Sequence, residues 1–132
     1  SMKVRDLTRP AHYVDADDSV KAAAQVLTEK NVNAVFVREG GEVVGILTVR
    51  DLLKFAARCD TMEKAKASAI MSGPVLSIGE DESVLAAGKL MEQHDIRHLG
   101  VKDKEGKIVG MITATMISRN QVRLWYGKTL FE

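Results

Sequence analysis

The chain has 132 residues, with 19 basic and 18 acidic side chains, a formal charge of +1, and hydrophobic and charged fractions of 45% and 28%. That balance belongs to a soluble globular protein, long enough for one ordinary domain or for two small halves that share a core. No apolar run approaches the roughly 18 residues of a membrane span, and no block of one charge sign sets up a field for nucleic acid, so neither is expected as a partner.

In chain order, Ser1 ahead of Met2 reads as a residue left by tag cleavage, and nothing beside it resembles a signal peptide or a lipidation site. A short strand comes first. The acidic and serine residues of "DADDSV" are helix start signals, and Val20, Ala23, Ala24 and Leu27 follow at i, i+3, i+4 and i+7, which predicts a helix with one apolar face. Two β-rich runs, "AVFVRE" (34 to 39) and "VVGILT" (43 to 48), are joined at Gly40-Gly41 as a hairpin, and a second helix begins at Thr48. Cys59 follows that helix. It is the only cysteine, so no internal disulfide can form, which fits a cytoplasmic protein, and no general base beside it suggests a nucleophile.

The pattern then starts again. Residues 7 to 23, "LTRPAHYVDADDSVKAA", lie over 71 to 87, "MSGPVLSIGEDESVLAA", with Pro10 on Pro74, Asp17 on Asp81, Ser19 on Ser83 and Val20 on Val84, each pair 64 apart. Val84, Ala87, Gly88 and Met91 repeat the helical spacing, and "HLGVKD" and "IVGMIT" repeat the hairpin around Gly106 before a helix at Thr113. The extra residue that moves the offset to 65 falls in the second turn, where insertions are tolerated. Two copies of strand, helix, strand, strand, helix form a tandem pair rather than an array. The expected boundaries are 4–62 and 63–124, with a tail over 125–132. A unit of this size buries too little apolar surface alone, so an α/β (α+β) fold is expected, with the two β-α-β-β-α repeats packed face to face about a pseudo-twofold axis.

The stretch "GILTVRD" (45 to 51) carries the first chemistry. Thr48 is a good N-cap, and Asp51 three residues on can bond back to it as a capping box. The same helix start attracts phosphate through its exposed N–H groups, and a carboxylate there suits the two hydroxyls of a ribose. Both readings stand at this point. Arg50 either reaches phosphate or is the exposed residue of a first turn. In "DIRHLGV" (95 to 101), Arg97 and His98 replace Asn33 and Ala34 of the first copy. With twofold packing they would face Thr48, completing one site: Asp51 for ribose; Thr48, the helix start, Arg97 and His98 for phosphate. The mirror site has Thr113 but Met116 in place of the acid, and lacks the basic pair. Capping alone gives no reason for both losses to coincide; function at one site does.

The tandem copies, the G-x-x-T-x-x-D at Gly45, Thr48 and Asp51, and the "IRHLGV" strand together resemble a CBS pair, the two-copy module named after cystathionine beta-synthase and also called a Bateman module. The resemblance covers residues 4 to 120. It implies a regulatory module that binds AMP, ADP, ATP, S-adenosylmethionine or a dinucleotide such as NAD in clefts between the copies, and that dimerises through its helices. It also implies the roles named above for Asp51, Thr48, Arg97 and His98, and a base held near Ala11 to Tyr13, Ala34, Ile46 and Leu76. Gly100 stands where that strand often has a proline. AMP is the expected ligand, with a nucleotide-independent dimerisation scaffold, or S-adenosylmethionine binding, as the alternatives. A homodimer and a protein effector of unknown identity are the expected partners.

No catalytic residue, catalytic cofactor or metal site is expected. His94 and His98 are four apart, but the helix should end near Asp95 and no third ligand is in view. The methionines fall on apolar positions as core filler. Trp125, Tyr126 and Phe131 crowd the tail, where they either pack on the module or anchor a partner.

Overall fold

The computed structural model describes residues 2–58 and 61–131, and for 123–131 the backbone only. Cys59 therefore lies outside the described residues, as do the side chains of Trp125, Tyr126 and Phe131. Two compact units are present, one of residues 11–75 and one of residues 1–10 with 76–132.

In the unit of residues 11–75, β2 (Tyr13–Asp15), α2 (Val20–Lys30), β3 (Ala34–Glu39), β4 (Glu42–Thr48) and α3 (Val49–Arg58) follow the expected order. The sheet runs β2-β3-β4, with β2 parallel and β4 antiparallel to β3. Local chemistry sets each boundary. The Ser19 hydroxyl accepts a hydrogen bond from the Ala22 N–H at 3.0 Å to start α2, and Asn31, in the left-handed region at φ 52°, ends it. Val14, Ala23, Leu27, Val35, Val37 and Leu47 form the core between sheet and helices. Alternation along β3 turns Ala34 and Phe36 to the opposite face, yet both are also buried, which is why "AVFV" reads as a continuous apolar run.

The other unit repeats this plan with β5 (Ser77–Gly79), α5 (Val84–His94), β6 (His98–Lys102), β7 (Ile108–Thr113) and α6 (Ala114–Phe131). The Ser83 hydroxyl caps α5 through the Ala86 N–H at 3.0 Å, and Asp95, at φ 50°, ends it. Val4, Ala87, Met91, Leu99, Val101 and Ile112 make its core. Burying a side chain such as Leu99 or Ile112 completely contributes about 2–3 kcal/mol. The backbone of α6 is helical through Phe131, so no break in the helix separates a tail at 125.

The start of each repeat was not legible in the periodicity. A one-turn helix leads each copy, α1 (Val4–Leu7) and α4 (Ala67–Ile70), and each lead-in is followed by backbone pairing to the last strand of a hairpin. Strand β1 (Arg9–Pro10) pairs with Met111 and Gly110 of β7, giving that unit a four-stranded sheet in the order β1-β7-β6-β5. In the other unit, Ser72 and Ile46 exchange two backbone hydrogen bonds of 2.8 Å. The first repeat's leading residues therefore belong to the compact unit built from the second repeat, and residues 63–75 to the unit built from the first.

This pairing explains the glycine of G-x-x-T. A Cβ at Gly110 would stand 2.8 Å from the Arg9 carbonyl oxygen and against the Thr8 methyl, and one at Gly45 would stand 2.9 Å from the Ser72 carbonyl oxygen and against Met71. Gly45→Ala and Gly110→Ala should each destabilise the protein by about 1–3 kcal/mol in urea unfolding. Gly88 sits inside α5 with nothing within 4 Å of its Cβ position, so Gly88→Ala should instead stabilise by up to about 1 kcal/mol.

Candidate functional site

The start of α3 follows directly on β4, so Thr48 ends a strand and caps a helix at once. The Asp51 carboxylate accepts hydrogen bonds through Oδ2 from the Thr48 N–H at 2.8 Å and the Thr48 hydroxyl at 3.0 Å, while Thr48 Oγ1 accepts one from the Asp51 N–H at 3.2 Å. The capping box is complete. It occupies one carboxylate oxygen only, because Asp51 Oδ1 has no hydrogen-bond partner among the described residues. A half-buried carboxylate held rigid through one oxygen and open at the other is compatible with both readings of the motif at once.

Strand register gathers four of the expected residues on the sheet face turned away from the helices of that unit. Ala34 pairs with Thr48, Phe36 with Ile46, and Tyr13 with Phe36. Tyr13 and Phe36 meet as tilted rings with centroids 6.2 Å apart. The Arg38 guanidinium carbon lies 4.0 Å from the Tyr13 ring centre, a cation–π contact that periodicity alone did not reveal. Arg50 is exposed on the first turn of α3.

Three expected residues lie in the other unit. Leu76 packs against the core there, and its carbonyl accepts from the Gly100 N–H at 3.0 Å. Arg97 and His98 are adjacent but part company. Arg97 lines a groove along α5 and α6 with Glu92, Asp95 and Ile117, whereas His98 begins β6 and is register-paired with Thr113. His94 is the last residue of α5, so His94 and His98 do not share a helix. Among the described residues no group of three or more His, Cys, Asp or Glu could hold a metal ion.

The second copy of the motif keeps only half of the cap. Thr113 Oγ1 accepts from the Met116 N–H at 3.2 Å, and the Met116 side chain packs on the apolar core beside Ile112 and Leu99. Replacing the acid by methionine exchanges a reciprocal cap for apolar burial.

Sequence reasoning missed Lys54 and Arg58. With Asp51, Ala57 and Ile70 they line an open groove of about 370 Å³. The spacing of 51, 54 and 58, an i, i+3, i+7 stripe on one helix, was the available signal. From the bond count at each cap, Thr48→Ala should cost about 1–2 kcal/mol and Thr113→Ala about 0.5–1 kcal/mol in chemical unfolding without ligand.

A sequence model of the CBS domain matches residues 4–58 and 67–123. Uncharacterized protein MJ1404 of Methanocaldococcus jannaschii is 36% identical over 112 residues, 84% of this chain and 27% of that protein. A homoserine O-acetyltransferase of Methanococcoides burtonii is 36% identical over 103 residues, 76% of this chain and 20% of the enzyme. The chain thus spans about a quarter or less of the length of these two relatives. Among solved structures, the CBS domain pair of protein MJ0100 in complex with 5′-methylthioadenosine and S-adenosyl-L-methionine is similar at a TM-score of 0.80 and 29% identity, covering 91% of this chain and 99% of that one. The CBS domain protein PAE2072 from Pyrobaculum aerophilum, complexed with AMP, has the same fold at a TM-score of 0.80 and 22% identity, covering 97% and 99% of the two chains.

Proposed function

The chain belongs to the CBS domain family and carries two copies of the domain, and from that premise we propose that it is a non-catalytic regulatory module that senses an adenosyl nucleotide, AMP being the simplest such ligand, and passes a conformational change to a protein partner. The observation that carries this reading is Asp51, fixed by its cap through Oδ2 and unbonded at Oδ1 among the described residues. In the proposal, that oxygen accepts from the ribose hydroxyls, and the N–H groups at the start of α3 attract phosphate together with Thr48. Tyr13, Ala34 and Ile46, gathered on one face of the same sheet, and Leu76 surround the base; Arg97 and His98 bind the phosphate, with Arg50 beside them. The adenosyl ligands of the MJ0100 pair support the class of ligand. This chain's own cations favour a phosphorylated member of that class.

Regulation then follows from linkage. A nucleotide can shift the module, as the proposed homodimer, only by its differential affinity for two states, so the output is limited to that difference. The length of the relatives accords with a module that serves a larger protein or a separate effector. Among the described residues no helix is long and apolar enough to cross a membrane.

Thermal unfolding with AMP, ADP, ATP, NAD, S-adenosylmethionine and GTP, followed by calorimetric titration of Asp51→Ala, tests the proposal. A ligand at about 100 times its dissociation constant should stabilise by roughly 2.7 kcal/mol and raise the midpoint by several degrees. Asp51→Ala should weaken nucleotide binding by about 1–3 kcal/mol. A flat panel from a folded protein would make the chain a dimerisation scaffold, and a response to S-adenosylmethionine alone would exclude the phosphate roles.

A further inference from the structure

We infer that the ligand of the Asp51 site is a nucleoside diphosphate or triphosphate in preference to a monophosphate, because a cationic groove continues from Asp51 along α3; the inference rests on the nucleotide reading above. The groove, about 370 Å³ in volume, is lined by Asp51, Lys54, Ala57, Arg58 and Ile70, so α3 forms one side and α4 the other. Asp51, Lys54 and Arg58 stand on one stripe of the helix and span roughly 10 Å along its axis, at about 1.5 Å per residue.

The charges along this stripe are unbalanced. The ion pairs among the described residues join Arg5 to Asp81, Lys21 to Glu63 and Lys66 to Asp17, so neither Lys54 nor Arg58 has an acidic partner there. Among the described residues Asp51 is the only acid lining the groove, set against two cations, and its Oδ2 is committed to the helix cap. Ala57 and Ile70 add apolar surface to the lining of the groove. Arginine offers a planar fork that matches phosphate oxygens, and lysine a compact point charge. AMP brings one phosphate, for which the nucleotide reading already names Arg97 and His98. At neutral pH the AMP phosphate carries about two negative charges, which in that reading are met by Arg97 and the start of α3, so Lys54 and Arg58 are left for a second or third phosphate.

The test is calorimetric titration of AMP, ADP and ATP at low salt into the chain and into the double variant Lys54→Gln/Arg58→Gln. Both residues are exposed on a helix, and glutamine preserves helix propensity, so the variant should fold. In the unaltered chain ATP should bind about five- to twentyfold tighter than AMP, a preference that falls as salt is added. In the double variant the preference should collapse to within about twofold, and in Lys54→Glu ATP should bind no better than AMP. Equal affinities in the unaltered chain, or a preference that survives in the double variant, would overturn the groove's role and leave the nucleotide reading intact. Binding of none of the three nucleotides would overturn both.

Discussion

The hydrogen-bonded approach of a leading segment to the last strand of a hairpin is the constraint on which the rest depends. It occurs twice, at Ser72 on Ile46 and at Arg9–Pro10 on Gly110–Met111, and both times a glycine sits where a Cβ would collide. The strand so fixed ends at a threonine, and the threonine starts a helix. The leading segment is thereby coupled to the placement of Thr48 or Thr113, three residues beyond the glycine. It is also what makes the compact units differ from the sequence repeats, since residues 2–10 are held by the unit built from the second repeat. Backbone hydrogen bonds from Val4 to Glu82 at 2.8 Å and from Arg5 to Glu80 at 2.9 Å reinforce that hold.

On this shared frame the two motif copies have diverged in chemistry. Both keep glycine for close approach and threonine for the cap. Only the first keeps a carboxylate, and the cap needs just one of its oxygens. In the second copy the same position is spent on apolar packing, where Met116, partly buried, lies against the core cluster that includes Leu99 and Ile112. The loss of the acid therefore has a structural benefit where it occurs, and its retention at Asp51 has a use beyond capping in the proposed ligand site. Caps are worth about 1 kcal/mol, small enough for a core methionine to offset, so stability alone gives no reason for the two copies to differ in this way.

Much of this was legible in the sequence because local rules governed it. The internal repeat, the hairpins at Gly40-Gly41 and Gly106, the helix starts at Ser19 and Ser83 and the capping box at Thr48 follow from spacing and residue type within a few positions. What spacing did not reveal was long-range or orientational. The destination of the leading segments depends on contacts formed across the chain, as Arg9 to Met111 illustrates. The divergence of Arg97 from His98 depends on where β6 begins, because Arg97 stands in the bend before the strand and lines the helix groove, whereas His98 is the first strand residue. Lys54 and Arg58 were visible as charges on a helix, but their groove exists only because α4 returns against α3.

The most direct test of the central claim, that the start of α3 is a nucleotide site, is an amide NMR titration of the isotope-labelled chain with AMP. The largest shift changes should fall on Thr48 to Asp51, with smaller ones at Ala34 and Ile46 on the adjoining strands. Saturable shifts confined to other elements, with Thr48 to Asp51 unmoved, would contradict it.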